Sequence, residues 1–244
     1  MLLIDIEASY AMAYVFPSKR EQYVAARQIK YHQFYPCAAY KWLGVGKTRI
    51  VKTTDDKNRF KKNFRDDYVV AKEMHDVMSE ADVIIAHNGD NFDMKHLNVA
   101  FRRHGLGPIP EKKTIDTLKA ARKYFAFAGN SLSDLLREFG LDGKHEKPDW
   151  EKLTDGDEKE TNKAAKYCGV DVDRLEPVFI EMRPFMRKLP TMLHKGQIKE
   201  CHSCGSKRVI KKGGGFDGRK AYQRIRCDEC GHEMKADIKY YLNK

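Results

Sequence analysis

Carboxylates occur at three separated places in the sequence, each close to an apolar run. Asp5 and Glu7 alternate with aliphatic residues at the start of the chain, so a strand would place both side chains on one face. Asp93 follows a second apolar run, and Asp171 stands one helical turn after Tyr167. Neighbouring carboxylates repel each other and are costly to bury, but Mg²⁺ or Mn²⁺ would neutralise them. The pattern predicts a divalent-metal site if the fold brings these acids together.

Each of these residues also has an ordinary structural interpretation. Asp5 and Glu7 would be solvated if they lay on a frayed edge strand. Asp93 would cap a helix, and Tyr167 would pack as an aromatic side chain on a helix face. Only the metal hypothesis requires all of them to meet at one site, so convergence in the fold distinguishes the interpretations.

Two Cys-x-x-Cys pairs, each followed by glycine, occur near the end of the sequence. Four cysteines in this pattern predict one structural Zn²⁺ site, because four thiolates complete a tetrahedral coordination shell. The segment is too short for a self-sufficient apolar core, so the metal would hold it together. Disulfides and a catalytic zinc fit less well, and His202 and His232 are not needed as ligands. The predicted ligands are Cys201, Cys204, Cys227 and Cys230.

The elements that position these residues predict an α/β fold with a small β module behind it. Predicted strands cover residues 2–7, 29–43, 49–52 and 83–86, the first ones as an antiparallel meander. Predicted helices cover about 69–81, 117–125, 131–139 and 160–182, and a further helix carrying Phe92, Leu97 and Phe101 follows the turn at 87–89. Charged loops are predicted over 55–67 and 142–160. Pro177 is expected to kink or split the last helix. Pro184 and Pro190 mark a boundary between a domain over 1–190 and a module over 191–244.

The acidic motifs together resemble those of the DEDD superfamily of 3′–5′ exonucleases, in the tyrosine-bearing subgroup that includes polymerase proofreading domains. The motifs are residues 5–7, 88–93 and 167–171, and the connecting segments 115–118 and 131–135 also match. The resemblance spans about 1–185 and is nearest to stand-alone, phage-type exonucleases. Ala8 departs from the hydroxyl residue common after the glutamate, but that residue is not a metal ligand. The implied fold is a ribonuclease-H-like mixed sheet flanked by helices, and the cysteine module resembles a zinc ribbon.

The resemblance also implies roles for the acids in a two-metal hydrolysis of phosphodiester bonds. Asp5 would bridge both Mg²⁺ or Mn²⁺ ions, Glu7 and Asp171 would hold the one that activates water, and Asp93 would support the other. Tyr167 would orient the attacking water, and Asp173 is expected to be a surface acid. The expected activity is a metal-dependent 3′–5′ exonuclease, with DNA favoured over RNA. The alternatives are a catalytically weak nucleic-acid-binding adaptor and a structure-selective endonuclease on the same fold.

The charge distribution supports a polyanionic partner. The chain of 244 residues carries a formal net charge of +11, and residues 194–244 contribute 13 Lys and Arg against 6 Asp and Glu. Basic and aromatic residues between the cysteine pairs predict phosphate contacts and base stacking, with a solvated or protein-docking hairpin as the alternative. The charged run over 55–67 has the same two interpretations. The predicted contacts are Asn88, Phe92, Lys211, Lys212, Arg219, Lys220, Arg224 and Arg226.

The expected partner is a single-stranded 3′ end, with a polymerase or another replication or recombination protein as a second partner. No apolar run reaches about 18 residues, so no membrane span is expected. The short apolar run at the amino terminus has no basic n-region and no small-residue cleavage site, so no signal peptide is expected. We expect a cytoplasmic protein, in the host cytoplasm if the gene is phage-encoded. Reduced cysteines in that compartment agree with a zinc site.

Overall fold

The computed structural model describes residues 1–16, 23–141, 146–186, 189, 193–194, 198–202, 205–216 and 221–238. The strands are β1 (Leu2–Glu7), β2 (Met12–Ala13), β3 (Ile29–Tyr31), β4 (Cys37–Trp42), β5 (Val45–Lys52), β6 (Val83–Ala86), β7 (Lys113–Asp116), β8 (Leu193–His194), β9 (Val209–Phe216), β10 (Ala221–Cys227) and β11 (Glu233–Asp237). The helices are α1 (Lys57–Lys62), α2 (Tyr68–Glu80), α3 (Asp93–Arg103), α4 (Thr117–Tyr124), α5 (Leu132–Glu138), α6 (Trp150–Thr154) and α7 (Glu158–Met182).

Five strands form a mixed central sheet in the order β5-β4-β1-β6-β7. β1 pairs antiparallel with β4, which pairs antiparallel with β5, while β1, β6 and β7 run parallel. The predicted ribonuclease-H-like mixed sheet flanked by helices is confirmed. The predicted strand over 29–43 is wrong in its extent, because residues 29–31 pair with β2 in a separate two-stranded sheet and the central strand begins at Cys37.

The central sheet is covered on both faces because its strands carry apolar side chains alternately to each side. On one face, Leu2, Ile4 and Ile6 pack in a core with α2 and α3. On the other face, Leu3 packs in a core formed largely by α7. A glycine allows α7 to approach the sheet closely, since a Cβ atom at Gly169 would lie 2.5 Å from the Ile50 side chain.

Two segments that read as charged loops contain helices. Asp56 accepts a hydrogen bond from the Arg59 amide and so caps α1 within the run over 55–67. α6 lies within the predicted loop over 142–160, and α7 begins at Glu158. The predicted split at Pro177 is also wrong, because α7 runs without interruption from Glu158 to Met182.

A smaller sheet follows α7, in the order β8-β11-β10-β9. β9, β10 and β11 are antiparallel, and the two-residue β8 pairs parallel with β11. Its apolar core consists of Ile198, Cys201, Ile225, Cys227, Met234 and Ala236. Among the helices in the described part of the chain, none is long and apolar enough to cross a membrane.

Candidate active site

The candidate site lies at the edge of the sheet where its three parallel strands end. Asp5 and Glu7 lie toward the end of β1, and Asp93 is the first residue of the helix that follows β6. Carboxyl ends of neighbouring parallel strands meet at one edge, which is where α/β sheets commonly bind ligands. The topology therefore brings the first two acidic motifs to the same place.

Strand alternation turns the first two acids toward α7. Leu3, Asp5 and Glu7 share one face of β1, and Leu3 packs in the α7-side core while Ile4 and Ile6 pack on the opposite side. β1 lies between two other strands of the sheet, so it is not a frayed edge strand. The solvated-edge interpretation of the acid pair is therefore wrong.

Asp93 is held against β1 by a backbone contact. Its Oδ1 atom accepts a hydrogen bond from the Ile6 amide at 3.1 Å. β1 pairs with β6 only through Leu2 and Leu3. The Ile6 amide lies beyond the end of that pairing, and the Asp93 carboxylate accepts its hydrogen bond in place of a strand partner. The side chain is buried, and the N-cap residue of α3 is Phe92, so Asp93 is not the cap that the alternative interpretation required.

The third motif faces the acids from α7. Tyr167 hydrogen-bonds the Asp171 carboxylate one turn away, and the charge of Asp171 acts on both Asp5 and Glu7. Asp173 points elsewhere: it accepts a hydrogen bond from Thr48 at 2.5 Å and lies 3.4 Å from Lys41, with its side chain 56% exposed. The structure thus brings Asp5, Glu7, Asp93 and Asp171 together, here called the acid cluster, with Tyr167 beside it.

Burial and mutual repulsion raise the pKa values within the acid cluster. Burial raises the pKa of Glu7 to about 8, and the charges of Asp171 and Asp93 add to the increase. Burial likewise raises the pKa of Asp93 to about 7 and that of Asp5 well above its ordinary value. Burial, and then the nearby negative charge of Asp171, also raise the pKa of Tyr167, so its hydroxyl stays protonated and can donate a hydrogen bond.

The donor set fits hard divalent cations. Four carboxylates that repel one another in a partly buried place are the oxygen ligands that Mg²⁺ and Mn²⁺ prefer, and bound cations would remove the repulsion. Ligand atoms of Asp5, Glu7 and Cys168 lie within 4.8 Å of one another. The thiol of Cys168 is a poor ligand for such ions, and burial raises its pKa well above the ordinary value.

Two residues that the sequence motifs did not single out as site residues, Cys168 and Asp116, hold this site in place. The Cys168 thiol donates a hydrogen bond to the Asp5 carbonyl at 3.3 Å and so joins α7 to β1. The Asp116 carboxylate accepts hydrogen bonds from the Asn88 amide at 3.0 Å and the Asp90 amide at 3.4 Å. The sequence signal for Cys168 was its position next to Tyr167. The signal for Asp116 was its place in the segment 115–118, which matches a connecting segment of the exonuclease family.

The turn between β6 and α3 requires unusual backbone positions. Asn88 adopts a left-handed conformation with φ of 63°, which asparagine tolerates better than most residues. A Cβ atom at Gly89 would lie 2.4 Å from that of Ala86, so only glycine fits there. Phe92 ends the turn with its ring centroid 4.4 Å from that of His96. The two predicted contacts Asn88 and Phe92 therefore lie on the rigid turn that carries Asp93.

Three of the four predicted zinc ligands form a second cluster in the smaller sheet. Ligand atoms of Cys201, Cys227 and Cys230, here called the cysteine cluster, lie within 4.8 Å of one another. The Sγ atoms of Cys201 and Cys230 are 3.6 Å apart, near the roughly 3.8 Å that Zn–S bonds of 2.3 Å require at a tetrahedral ion. Cys204 lies outside the described residues, and no disulfide joins the cysteines within them.

The two cysteine loops share one backbone geometry. The Gly205 amide donates to the Cys201 carbonyl, and the Gly231 amide donates to the Cys227 carbonyl in the same way. Both glycines are left-handed, with φ of 74° and 72°. Each loop is closed by the amide of its first cysteine, which donates to the carbonyl five residues later. This repeated geometry explains the glycine after each cysteine pair.

The predicted nucleic-acid contacts of the smaller sheet do not share one face. Arg224 and Arg226 are exposed on one face of β10, where they alternate with the buried Ile225. Lys211 pairs directly with Ile225 and so lies on the other face by register. Lys212 is exposed on β9. Arg219 and Lys220 lie outside the described residues.

Comparisons with known proteins agree with this geometry. Residues 47–146 match the exonuclease family RNase_T, a segment that contains Asp93 but neither Asp5 and Glu7 nor Tyr167 and Asp171. No curated protein matches the chain. The matched segment covers 100 of the 244 residues and shows a likeness to an exonuclease family over that part of the chain.

The fold is similar to part of a solved structure, that of the family B DNA polymerase from the hyperthermophilic archaeon Pyrobaculum calidifontis. The similarity has a TM-score of 0.52 at 15% sequence identity and covers 76% of this chain. The chain covers only 26% of the polymerase, about a quarter of its length. At this identity the similarity shows the fold alone.

Proposed function

We propose that this protein is a metal-dependent 3′–5′ exonuclease that removes nucleotides from nucleic acid, with DNA preferred over RNA. The observation that carries the proposal is the acid cluster, in which four carboxylates from three elements meet at one edge of the sheet. The RNase_T match supports the same activity through the segment that contains Asp93. The exonuclease domain would comprise residues 1–190.

Two Mg²⁺ or Mn²⁺ ions held by Asp5, Glu7, Asp93 and Asp171 would supply an activated water and neutralise charge at the reacting phosphate. The chain's own groups would hold the geometry around them. The Ile6 amide fixes the Asp93 carboxylate, and the Cys168 thiol fixes the Asp5 backbone. Tyr167, whose raised pKa keeps its hydroxyl protonated, would orient the attacking water instead of acting as a base.

The smaller sheet would be a zinc ribbon formed by residues 191–244. One Zn²⁺ bound by Cys201, Cys204, Cys227 and Cys230 would hold it together, supported by the three clustered thiols and by the matching loop geometry. Its exposed Arg224 and Arg226 would contact phosphates. Reduced thiolate ligands are consistent with an intracellular protein, and we propose that a replication or recombination protein is a second partner.

A nuclease assay tests the proposal directly. The full-length protein is incubated with 5′-labelled single-stranded DNA or RNA and Mg²⁺ or Mn²⁺, and the products are separated by length. We expect a ladder that shortens from the 3′ end and is absent with Asp171→Ala. Internal cuts would instead indicate an endonuclease, and binding without cleavage would indicate an adaptor, so either outcome contradicts the proposal.

A further inference from the structure

A hairpin with exposed aromatic residues follows the catalytic strand. The segment between Glu7 and Cys37 forms the two-stranded β2–β3 sheet and holds seven of the chain's 26 aromatic residues in residues 8–35. Its described parts, residues 10–16 and 23–31, are here called the aromatic hairpin. Tyr14 is 67% exposed, Phe16 84% and Tyr23 91%. Large aromatic side chains so exposed within one short segment indicate an interaction surface.

The base of the aromatic hairpin is fixed to the body of the protein. The Ser9 amide donates to the Phe34 carbonyl at 2.9 Å, and the Phe34 amide donates to the Ser9 hydroxyl at 3.0 Å. The Tyr10 amide donates to the Thr154 hydroxyl at 3.0 Å. Because Ser9 and Phe34 are buried, the hairpin projects from an anchored base.

Further contacts tie the two strands of the hairpin together. The Tyr14 amide donates to the Gln28 carbonyl at 2.9 Å, and the Gln28 side-chain amide donates to the Tyr14 carbonyl at 3.1 Å. The Arg65 guanidinium lies 4.7 Å from the Tyr31 ring centroid and donates to the Thr154 carbonyl at 2.9 Å. The exposed rings are therefore presented from a surface that is held in place.

Cations accompany the exposed rings. The Lys30 ammonium lies 5.4 Å from the Tyr14 ring centroid and 5.1 Å from that of Tyr31. Residues 8–35 contain four Lys and Arg residues against one acid, Glu21. Aromatic rings with a lysine beside them suit a nucleic-acid strand whose bases stack on the rings while its phosphates are attracted to the cation.

The aromatic hairpin is also next to the acid cluster. Tyr10 follows Glu7 by three residues, so their backbones are at most about 11 Å apart. In duplex DNA each strand has one phosphate per about 3.4 Å of helix axis. A strand with its end at Glu7 would thus reach the base of the hairpin, at Tyr10, within a few nucleotides.

We propose that the aromatic hairpin is a stacking surface for the unpaired bases of the single strand whose 3′ end occupies the acid cluster. This inference rests on the proposed nuclease function and adds a binding site to it. Tyr14 and Tyr23 carry the stacking, and Lys30 attracts the phosphates between the bases. The site selects single strands, because bases paired within a duplex do not expose their faces to stack on it.

The test compares a substrate that reaches the hairpin with one that does not. Kinetic constants are measured for a labelled oligothymidylate and for the p-nitrophenyl ester of thymidine 5′-monophosphate, which occupies only the acid cluster. We expect the double variant Tyr14→Ala, Tyr23→Ala to raise KM for the oligonucleotide at least about tenfold. Hydrolysis of the small ester is expected to stay within about twofold of wild type.

Two further variants separate stacking from other effects. Tyr14→Phe with Tyr23→Phe retains both rings and is expected to retain oligonucleotide affinity. Phe185→Ala removes a ring of comparable exposure, 60%, three residues after the end of α7, and is expected to change the kinetic constants for neither substrate. Wild-type KM in the alanine double variant, or an equal loss in the phenylalanine variant, would overturn the proposal.

Binding without turnover keeps the proposal separate from the proposed function. Fluorescence anisotropy of the labelled oligothymidylate is measured for the same variants without added divalent ions. If the wild-type protein hydrolyses neither substrate, the nuclease proposal fails. The anisotropy then still shows whether the aromatic hairpin binds the oligonucleotide. A tenfold loss of affinity in the alanine double variant supports stacking, and unchanged affinity refutes it.

Discussion

The acid cluster and the cysteine cluster each bring together groups that repel one another when ionised. Their surroundings differ. The acids stand at the edge of a sheet that has an extensive apolar core on both faces. Two of the three cysteines, Cys201 and Cys227, are among the six residues that form the core of the smaller sheet, and Cys230 packs against it. One cluster is attached to a fold that is stable for other reasons, while the other is part of what holds its fold together.

This contrast separates two uses of a metal ion. A cation at the acid cluster would relieve a local repulsion, so the fold does not require it and its value is chemical. A cation at the cysteine cluster would replace apolar contacts that the smaller sheet lacks, so its value is structural. Loss of the cation at the acid cluster is therefore expected to abolish activity and leave the fold intact. Loss of the cation at the cysteine cluster is expected to unfold the smaller sheet and leave the chemistry at the acid cluster intact.

The largest effect is expected from Asp5→Asn. The substitution keeps the shape of the side chain and removes one of the repelling charges. We expect hydrolysis to fall by on the order of 10³-fold or more, since a ligand of both proposed ions is lost, while thermal stability is unchanged or higher. Initial rates and a thermal melt measure both quantities.

Asp173→Asn is the matched control for this prediction. Asp173 lies on the same helix as Asp171 but bonds to Thr48 at the surface, so it is expected to keep wild-type activity. Wild-type turnover by Asp5→Asn would remove Asp5 from the proposed metal site. A large loss of stability would instead show that this acid is needed for folding.

A change of the opposite kind is expected from Cys227→Ser. We expect loss of the bound zinc and unfolding of the smaller sheet, because a structural zinc contributes about 10–16 kcal/mol to folding in small modules. Hydrolysis of the p-nitrophenyl ester is expected to persist. Oligonucleotide affinity would fall about tenfold and depend less on salt, because basic residues of that sheet no longer contact phosphates. Metal analysis and salt-dependent binding measure these effects.

His202→Ala provides the control at the cysteine cluster. His202 neighbours Cys201 but is not required as a ligand when four thiolates are present. It is expected to keep one zinc per chain. Loss of ester hydrolysis in Cys227→Ser would contradict the separation between the two clusters, as would retention of zinc.

The parts of the site that sequence predicted were those determined by local pattern. Apolar alternation located β1, and the apolar run over β6 placed Asp93 at the start of the next helix. The spacing of Tyr167 and Asp171 placed both on one turn of α7. Each of these features depends only on residues close together in sequence, so the pattern was sufficient to place each residue on its element.

Contacts that depend on how elements pack against each other were not predictable. The Cys168 contact with the Asp5 carbonyl depends on how α7 lies across β1, and the Asp116 contacts depend on the neighbouring loop. The cap at Asp56 was hidden within a charged run that resembled a loop. Pairing of residues 29–31 with β2 likewise required tertiary information, since the strand pattern itself continued toward β4.

The smallest expected effect concerns the pH dependence of stability without a divalent ion at the acid cluster. Burial raises the pKa of Glu7 to about 8 and that of Asp93 to about 7, above the values in the unfolded chain. Between the ordinary carboxyl pKa and these raised values, the folded protein thus binds more protons than the unfolded protein. Its stability is fully present below the ordinary carboxyl pKa and decreases as pH rises through 7 to 8.

Divalent ions should reverse this loss, because they replace the protons that keep the acid cluster neutral. We expect the melting temperature without added ions to fall by a few degrees from pH 6 to pH 8, and Mg²⁺ or Mn²⁺ to raise it more at pH 8 than at pH 6. Glu7→Gln, which cannot ionise, should remove much of the slope. Zinc at the cysteine cluster must stay bound throughout, so the ions are omitted instead of being chelated. A melting temperature that rises from pH 6 to pH 8 in their absence would show that the acids are not buried together as described.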